Sequence, residues 1–137
     1  MNRFFSENAR DFHPPMFVES CQVKDLVTEA KRRNLGVFLL DGARMTNQAS
    51  LFGEFQEKLQ FPEYFGKNWN ALDECLADLD WLDERGFLLV IESGNSLLCD
   101  EDEEVRGMFG SLLTDIAQEW AESDSPVLFR TIVVVDR

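Results

Sequence analysis

The chain has 137 residues, 45% of them apolar and twelve of them phenylalanine, which is enough material for one real hydrophobic core and excludes a mostly disordered chain. Its formal charge of −13 is lopsided: residues 1–66 carry 8 Lys and Arg against 9 Asp and Glu (−1), and residues 67–137 carry 5 against 17 (−12). Such a field repels phosphate backbones, disfavouring DNA and RNA as partners, and it attracts basic proteins; the plainer reading is a surface kept soluble by its acids.

In chain order, the first 15 residues lack a period and end in Pro14-Pro15, which predicts an extended arm, with the MFVE that follows as a candidate edge strand. Val23, Leu26, Val27 and Ala30 recur at helical spacing. Lys31, Arg32 and Arg33 suit the negative end of that helix, and Asn34 can close it. The run from Gly36 to Gly42 is short, apolar and bounded by turn residues, as expected of a strand buried on both faces. Asn47 is a predicted N-cap for a helix with Leu51, Phe52, Phe55 and Leu59 on one face, which Pro62 stops. A loop rich in rings then leads into a helix over Asn68–Leu79. Phe87–Glu92 is a second buried strand. Asp100, with Glu103 three residues on, is the expected cap of a long helix whose apolar face runs from Val105 to Trp120. Ser123–Pro126 breaks that helix, and Phe129–Asp136 is a β-branched third strand. Helices between successive apolar strands predict an α/β fold with right-handed crossovers and a parallel sheet.

Chemistry for catalysis is sparse. The single histidine, His13, lies in the arm without an evident orienting partner, and no CxxC, HExxH, GxGxxG or P-loop occurs. Cys75 falls between apolar helix positions, where packing is the expected role. Carboxylates are plentiful, so a carboxylate-pair hydrolase stays open by residue type alone. No metal and no cofactor is expected, and the inventory points away from an enzyme. Cys21, Cys75 and Cys99 are scattered and odd in number, which suits reduced thiols in a cytoplasmic protein. There is neither an apolar signal segment nor a run near the ~20 residues that cross a bilayer, so a membrane role is not expected.

The most informative stretch is FPEYFGKNWNALDECLADLDW, Phe61–Trp81. On a helix, Trp69, Leu72, Leu76 and Leu79 form a core-facing stripe. Asn70, Asp73, Glu74 and Ala77 form a second stripe that is polar, acidic and flat at its far end. Tyr64 and Phe65 stand at the head of that stripe, and Gly66 and Asn68 suit the tight loop leading into it. Rings beside carboxylates suit a basic cleft, because the rings supply apolar area and the acids pair with Arg, Lys or His⁺. Trp69 is expected to point inward.

These residues resemble the barstar family, small intracellular inhibitors of barnase-type ribonucleases. FPEYFGKNWNALDECL is similar to the family's pattern of apolar-Pro, acid and aromatic, aromatic-Gly, Asn, acid-Ala-Leu and acid-Cys-Leu. A weaker likeness extends from about Leu35 to Asp136. The resemblance implies a three-stranded parallel sheet packed with helices over residues 35–137, with residues 1–34 as an additional N-terminal arm and helix. It also implies that the acid before the helix cysteine, here Glu74, enters a ribonuclease active site in place of a substrate phosphate. The family's earlier helix acid falls on Asn70, its ring before the key acid on Asp73, and a further acid of the last helix near Glu119. The expected partner-binding set is therefore Tyr64, Phe65, Gly66, Asn68, Asn70, Asp73, Glu74, Ala77 and Glu119. The expected partner is a basic ribonuclease or nuclease toxin, against an immunity- or antitoxin-type role. The alternative is an acidic interaction module for a basic partner that is not a nuclease.

Overall fold

Alternation along the strands places the core. In β3 (Phe87–Glu92) and β4 (Phe129–Val134) all but Glu92 are buried, so both strands are covered on both faces. The computed structural model describes Phe5 and residues 10–136, and the arm expected over residues 1–15 lies partly outside them. The elements run β1 (Met16–Val18), α1 (Ser20–Arg32), β2 (Gly36–Asp41), α2 (Gln48–Lys58), α3 (Trp69–Asp78), β3, α4 (Glu103–Glu122) and β4. All strand pairs are parallel and the order is β1-β4-β3-β2.

The sheet therefore has four strands where the family resemblance implied three. The added strand is the MFV of the arm. Met16 and Val18 are in register with Ile132 and Val134, and the Val135 N–H donates to the Val18 carbonyl at 2.8 Å. Leu40, Leu89, Ile91, Phe129 and Val133 face α2, α3 and α4 in the larger core. Leu88, Val90, Ile132 and Val134 face the other way, where they meet Leu26 and Ala30 of α1, Val18 and Phe5.

Local signals set most boundaries. Asn34 ends α1 in the left-handed region (φ 62°), which asparagine tolerates. The Asn47 side chain accepts the Ser50 N–H at 2.9 Å, as a cap should. The expected cap of α4 is displaced: Asp102, not Asp100, accepts the Val105 N–H at 3.0 Å. Leu98 is in the left-handed region (φ 53°), outside helical geometry, and the N–H groups of Leu98 and Asp100 donate to the carbonyls of Met45 and Thr46, which holds this turn against the chain before α2.

Two 3-10 turns, Gly42–Arg44 and Gly94–Ser96, follow β2 and β3 and close over the carboxyl ends of neighbouring strands. A Cβ on Gly42 would lie 2.5 Å from the carbonyl oxygens of Glu92 and Ser93, and one on Gly94 would lie 2.6 Å from that of Val134. At both points the turn packs directly against backbone beyond a strand end.

Three buried polar groups have no counterpart in the sequence-based reading: Glu54, Arg130 and Thr131. Glu54 reaches from α2 to accept the Asp41 N–H at 2.7 Å and pairs with Lys58 at 3.4 Å, which covers one group on the free edge of β2. Arg130, 1% exposed, donates to the carbonyls of Phe129 and of Asp11, so it ties the arm to β4. Burial pulls its pKa down, and Asp11 opposes that. No helix among the described residues is long and apolar enough to cross a membrane.

Two glycines should respond in opposite directions. Gly42→Ala forces a methyl group onto immobile carbonyls and is expected to cost about 1–3 kcal/mol. Gly107→Ala, in α4 with nothing within 4 Å of an added Cβ, should stabilise by about 0.5–1 kcal/mol. Urea denaturation of both variants measures this.

Candidate protein-binding face

α3 forms because its two stripes are cleanly separated. Leu72 and Leu76 are fully buried, and the Asn68 side chain caps the start by accepting the Ala71 N–H at 2.8 Å. Leu79 closes the helix in the left-handed conformation, φ 49°. The left-handed residue of the entry loop is Lys67, φ 51°, not Gly66. Gly66 is small for another reason, since a Cβ there would come within 3.3 Å of the Asn68 amide nitrogen.

All three tryptophans fix the position of this helix. Trp69 Nε1 donates to Gln48 Oε1 on α2 at 2.7 Å, and Trp81 Nε1 donates to the Leu59 carbonyl at 2.9 Å. Trp120 Nε1, from α4, donates to the Leu76 carbonyl at 2.9 Å. The Trp69 ring packs edge-on against Phe52, with centroids 5.0 Å apart. Trp69 is therefore a core residue, as its stripe predicts.

The remaining candidates separate by exposure. Tyr64 is 82% exposed, and Gly66, Asn70, Glu74 and Ala77 also face solvent, with Asp73 half-buried among them. Phe65 is not on this rim: it is 6% exposed and packs edge-on against Phe61 at 4.9 Å and Phe52 at 6.4 Å. Its neighbour Tyr64 alone carries the ring expected there. Asn68 is exposed, but its side chain is engaged by the helix cap and by donation to the Gly66 carbonyl. It holds the loop and leaves Asn70 as the amide free to meet another molecule.

Glu119 reaches this face from α4. Its carboxyl is held above the usual glutamate range by burial first, then by the charges of Asp73 on α3 and Asp115 one turn away on α4. Asp115 is a member of the acidic surface that the sequence pattern did not single out. The signal was present in the i, i+4 spacing of Asp115 and Glu119, but only the packing of α4 beside α3 brings that flank to Asp73. The Cys75 thiol is likewise pushed up, by burial first and then by Asp78 and Glu74, so it stays protonated and packed.

The charges run against the preference of the helix itself. The first turn of α3 has no acid and its last turn no base, whereas Asp73, Glu74 and Asp78 lie in its middle and at its negative end. A helix arranged for its own stability would carry the opposite pattern. Asn68, Trp69, Asn70, Ala71 and Glu74 line a shallow open depression at its head. Short polar side chains, carboxylates and one protruding ring make a surface suited to cationic side chains of a second protein. Among the described residues no group of three or more His, Cys, Asp or Glu is arranged to hold a metal ion.

Comparison with known proteins gives two findings. The profile of the family described as Barstar (barnase inhibitor) matches residues 35–132. The Bacillus subtilis (strain 168) protein YrdF, whose name gives it a candidate role as a ribonuclease inhibitor, is 38% identical over 45 residues. That segment covers 33% of this chain and 47% of YrdF, so the likeness spans about half of the relative's length.

The raised carboxyl of Glu119 has a testable sign. Its value in the folded chain exceeds the ordinary 4.5. The folded state therefore binds more protons, and stability is fully present below 4.5 and falls as pH rises through the raised value. Glu119→Gln should raise stability at neutral pH by about 0.2–0.5 kcal/mol, the size of a relieved i, i+4 repulsion. The gain should shrink on acidification towards pH 4 and in high salt. Thermal melts across pH and salt measure it.

Proposed function

The chain belongs to the barstar family, and on that premise we propose that it is an intracellular inhibitor of immunity or antitoxin type. In this reading it binds a basic barnase-like ribonuclease and blocks the active site with the acidic face of α3. The family is one of inhibitors rather than enzymes. One observation carries the reading: exposed acids stand at the middle and negative end of α3, where they do not serve the helix, on a face held rigid by three indoles. Charges placed against a helix's own dipole are best accounted for by what they meet in a complex.

The proposed sequence begins with the field of the acidic half, which steers a basic enzyme to this side. Tyr64 then supplies rigid contact area at the rim, and Asn70 supplies hydrogen bonds. Glu74 enters the cationic pocket where a substrate phosphate would lie. It is one methylene longer than aspartate and so reaches further from the same backbone position. Asp73 and Glu119 add charge beside it, and their mutual repulsion in the free protein is relieved by a cation between them. The flat end at Ala77 lets the partner approach the helix. Residues 1–34, which add β1 and α1 to the sheet, are proposed to form an addition to the family's domain over 35–137 and to lie outside this contact.

Kinetics separate the roles. Glu74→Ala is expected to weaken binding to a barnase-type ribonuclease chiefly through faster dissociation. The loss is expected at about 2–5 kcal/mol, a range to which complexes of this family have themselves contributed. Neutralising Asp83, an exposed acid outside the face, should instead slow association and do so less at high salt. Stopped-flow association and dissociation rates decide; an unchanged dissociation rate for Glu74→Ala would refute its assignment.

A further inference from the structure

The face described above is small for a tight complex. It offers about eight exposed side chains, whereas a standard-size interface takes ~20–30 residues from each side. A partner seated on α3 must also cover neighbouring surface. On the far flank of α4 lies an apolar groove between that helix and β1. Phe17, 68% exposed, lines it together with Pro15, Gly110 and Val133, and Arg106 is its one charged lining residue.

The groove follows from the topology. β1 extends the sheet past β4 at its edge, and the helix layer on that face ends with α4. Val18 points to the α1 side and is buried, so Phe17 points to the opposite side, where no helix covers it. The flank of α4 that faces Phe17 is made of small residues, Gly107, Gly110, Ser111 and Thr114. An added Cβ on Gly107 or Gly110 would meet nothing within 4 Å, so the floor is open. Asp115 lines the same depression and is near enough to Glu119 to act on its charge. Met108 of α4 is also 46% exposed. Asp73, Glu119 and Asp115 thus link the α3 face to the groove at Phe17.

Resting on the inhibitor reading, we propose that the interface crosses α4 and that this groove takes an apolar side chain of the same basic ribonuclease. Two features select that occupant. The link through Asp73, Glu119 and Asp115 places the groove within reach of a protein docked on the acidic face, and with Arg106 lining the groove itself the groove takes an apolar group while a cation of the same segment falls beside Asp115. A second copy of the chain fits less well, because each copy brings a charge of −13, and Pro14-Pro15 limits strand pairing along the β1 edge.

The test uses the full chain, a barnase-type ribonuclease as probe, and two variants that leave the acids intact. Phe17→Ala removes the exposed ring, and Gly110→Trp fills the groove from a position with free space around it. Both are expected to melt within a few degrees of the unmodified protein. Dissociation should be faster by about 10-fold for Phe17→Ala, and by more for Gly110→Trp, as for loss of an apolar anchor. If Glu74→Ala accelerates dissociation while both groove variants stay within about 2-fold, the groove proposal is overturned and the inhibitor reading stands. If the unmodified chain does not bind the ribonuclease, both fall together. Dimers of the free chain that Gly110→Trp disrupts, with ribonuclease binding unaltered, would assign the groove to self-association and overturn it too.

Discussion

The orientation of α3 is the constraint from which the rest follows. A ten-residue helix is too short to be stable by itself. It exists here because Leu72 and Leu76 are sealed in the core and because indoles from α3, α4 and the chain after α3 clamp it. Each half-buried indole N–H has found an acceptor, two of them at the two ends of α2 and one on α3 itself. The helix can therefore neither roll nor slide without orphaning a donor. Its acidic stripe faces outward as a consequence, and the stripe can vary in sequence without disturbing what holds it.

Much of this was legible from sequence, for a physical reason. The two stripes of α3 follow from the 3.6-residue period, and the asparagine cap at position 47 and the buried strands of the parallel sheet follow from equally local rules; Asn68, read as a loop residue and helix start, proves to be the cap of α3. Phe65 was not legible. A loop residue has no period to assign it a side, and only the arrival of Phe52 and Phe61 from other elements decides that Phe65 turns in while Tyr64 turns out. Asp115 escaped notice because a polar helix flank looks the same whether it faces water or a neighbouring acid. The shift of the α4 cap from Asp100 to Asp102 has the same origin, since the competing hydrogen bonds come from Met45 and Thr46, more than fifty positions earlier. Arg130 breaks the apolar pattern of β4, and its acceptor at Asp11 is 119 residues away.

The two glycine-bearing turns bear on how such a scaffold is used. They pack closely against backbone beyond the strand ends, and the acids gathered on α3 and α4 make the helix layer the surface with chemical character. A face on helices is convex and carries its charges outward, which suits entry into another protein's cleft. The half-buried Asp73, the raised carboxyl of Glu119 and the reversed charge pattern of α3 all describe a surface under mild electrostatic strain. Such strain lowers the stability of the free protein and is released when cations arrive, so free and bound states are linked through the same few carboxylates.

The strand order has one more outcome. β4, the last of the four strands in chain order, is interior to the sheet, flanked by β3 on one side and by β1 on the other. Without it, β1 has no neighbour to pair with and β3 is bare along one edge. Loops of more than a hundred residues must close before that pairing forms. The β2–β3 pair needs only residues 36–92, whereas β1 joins the sheet solely through β4, so the sheet is completed by its longest-range pairing.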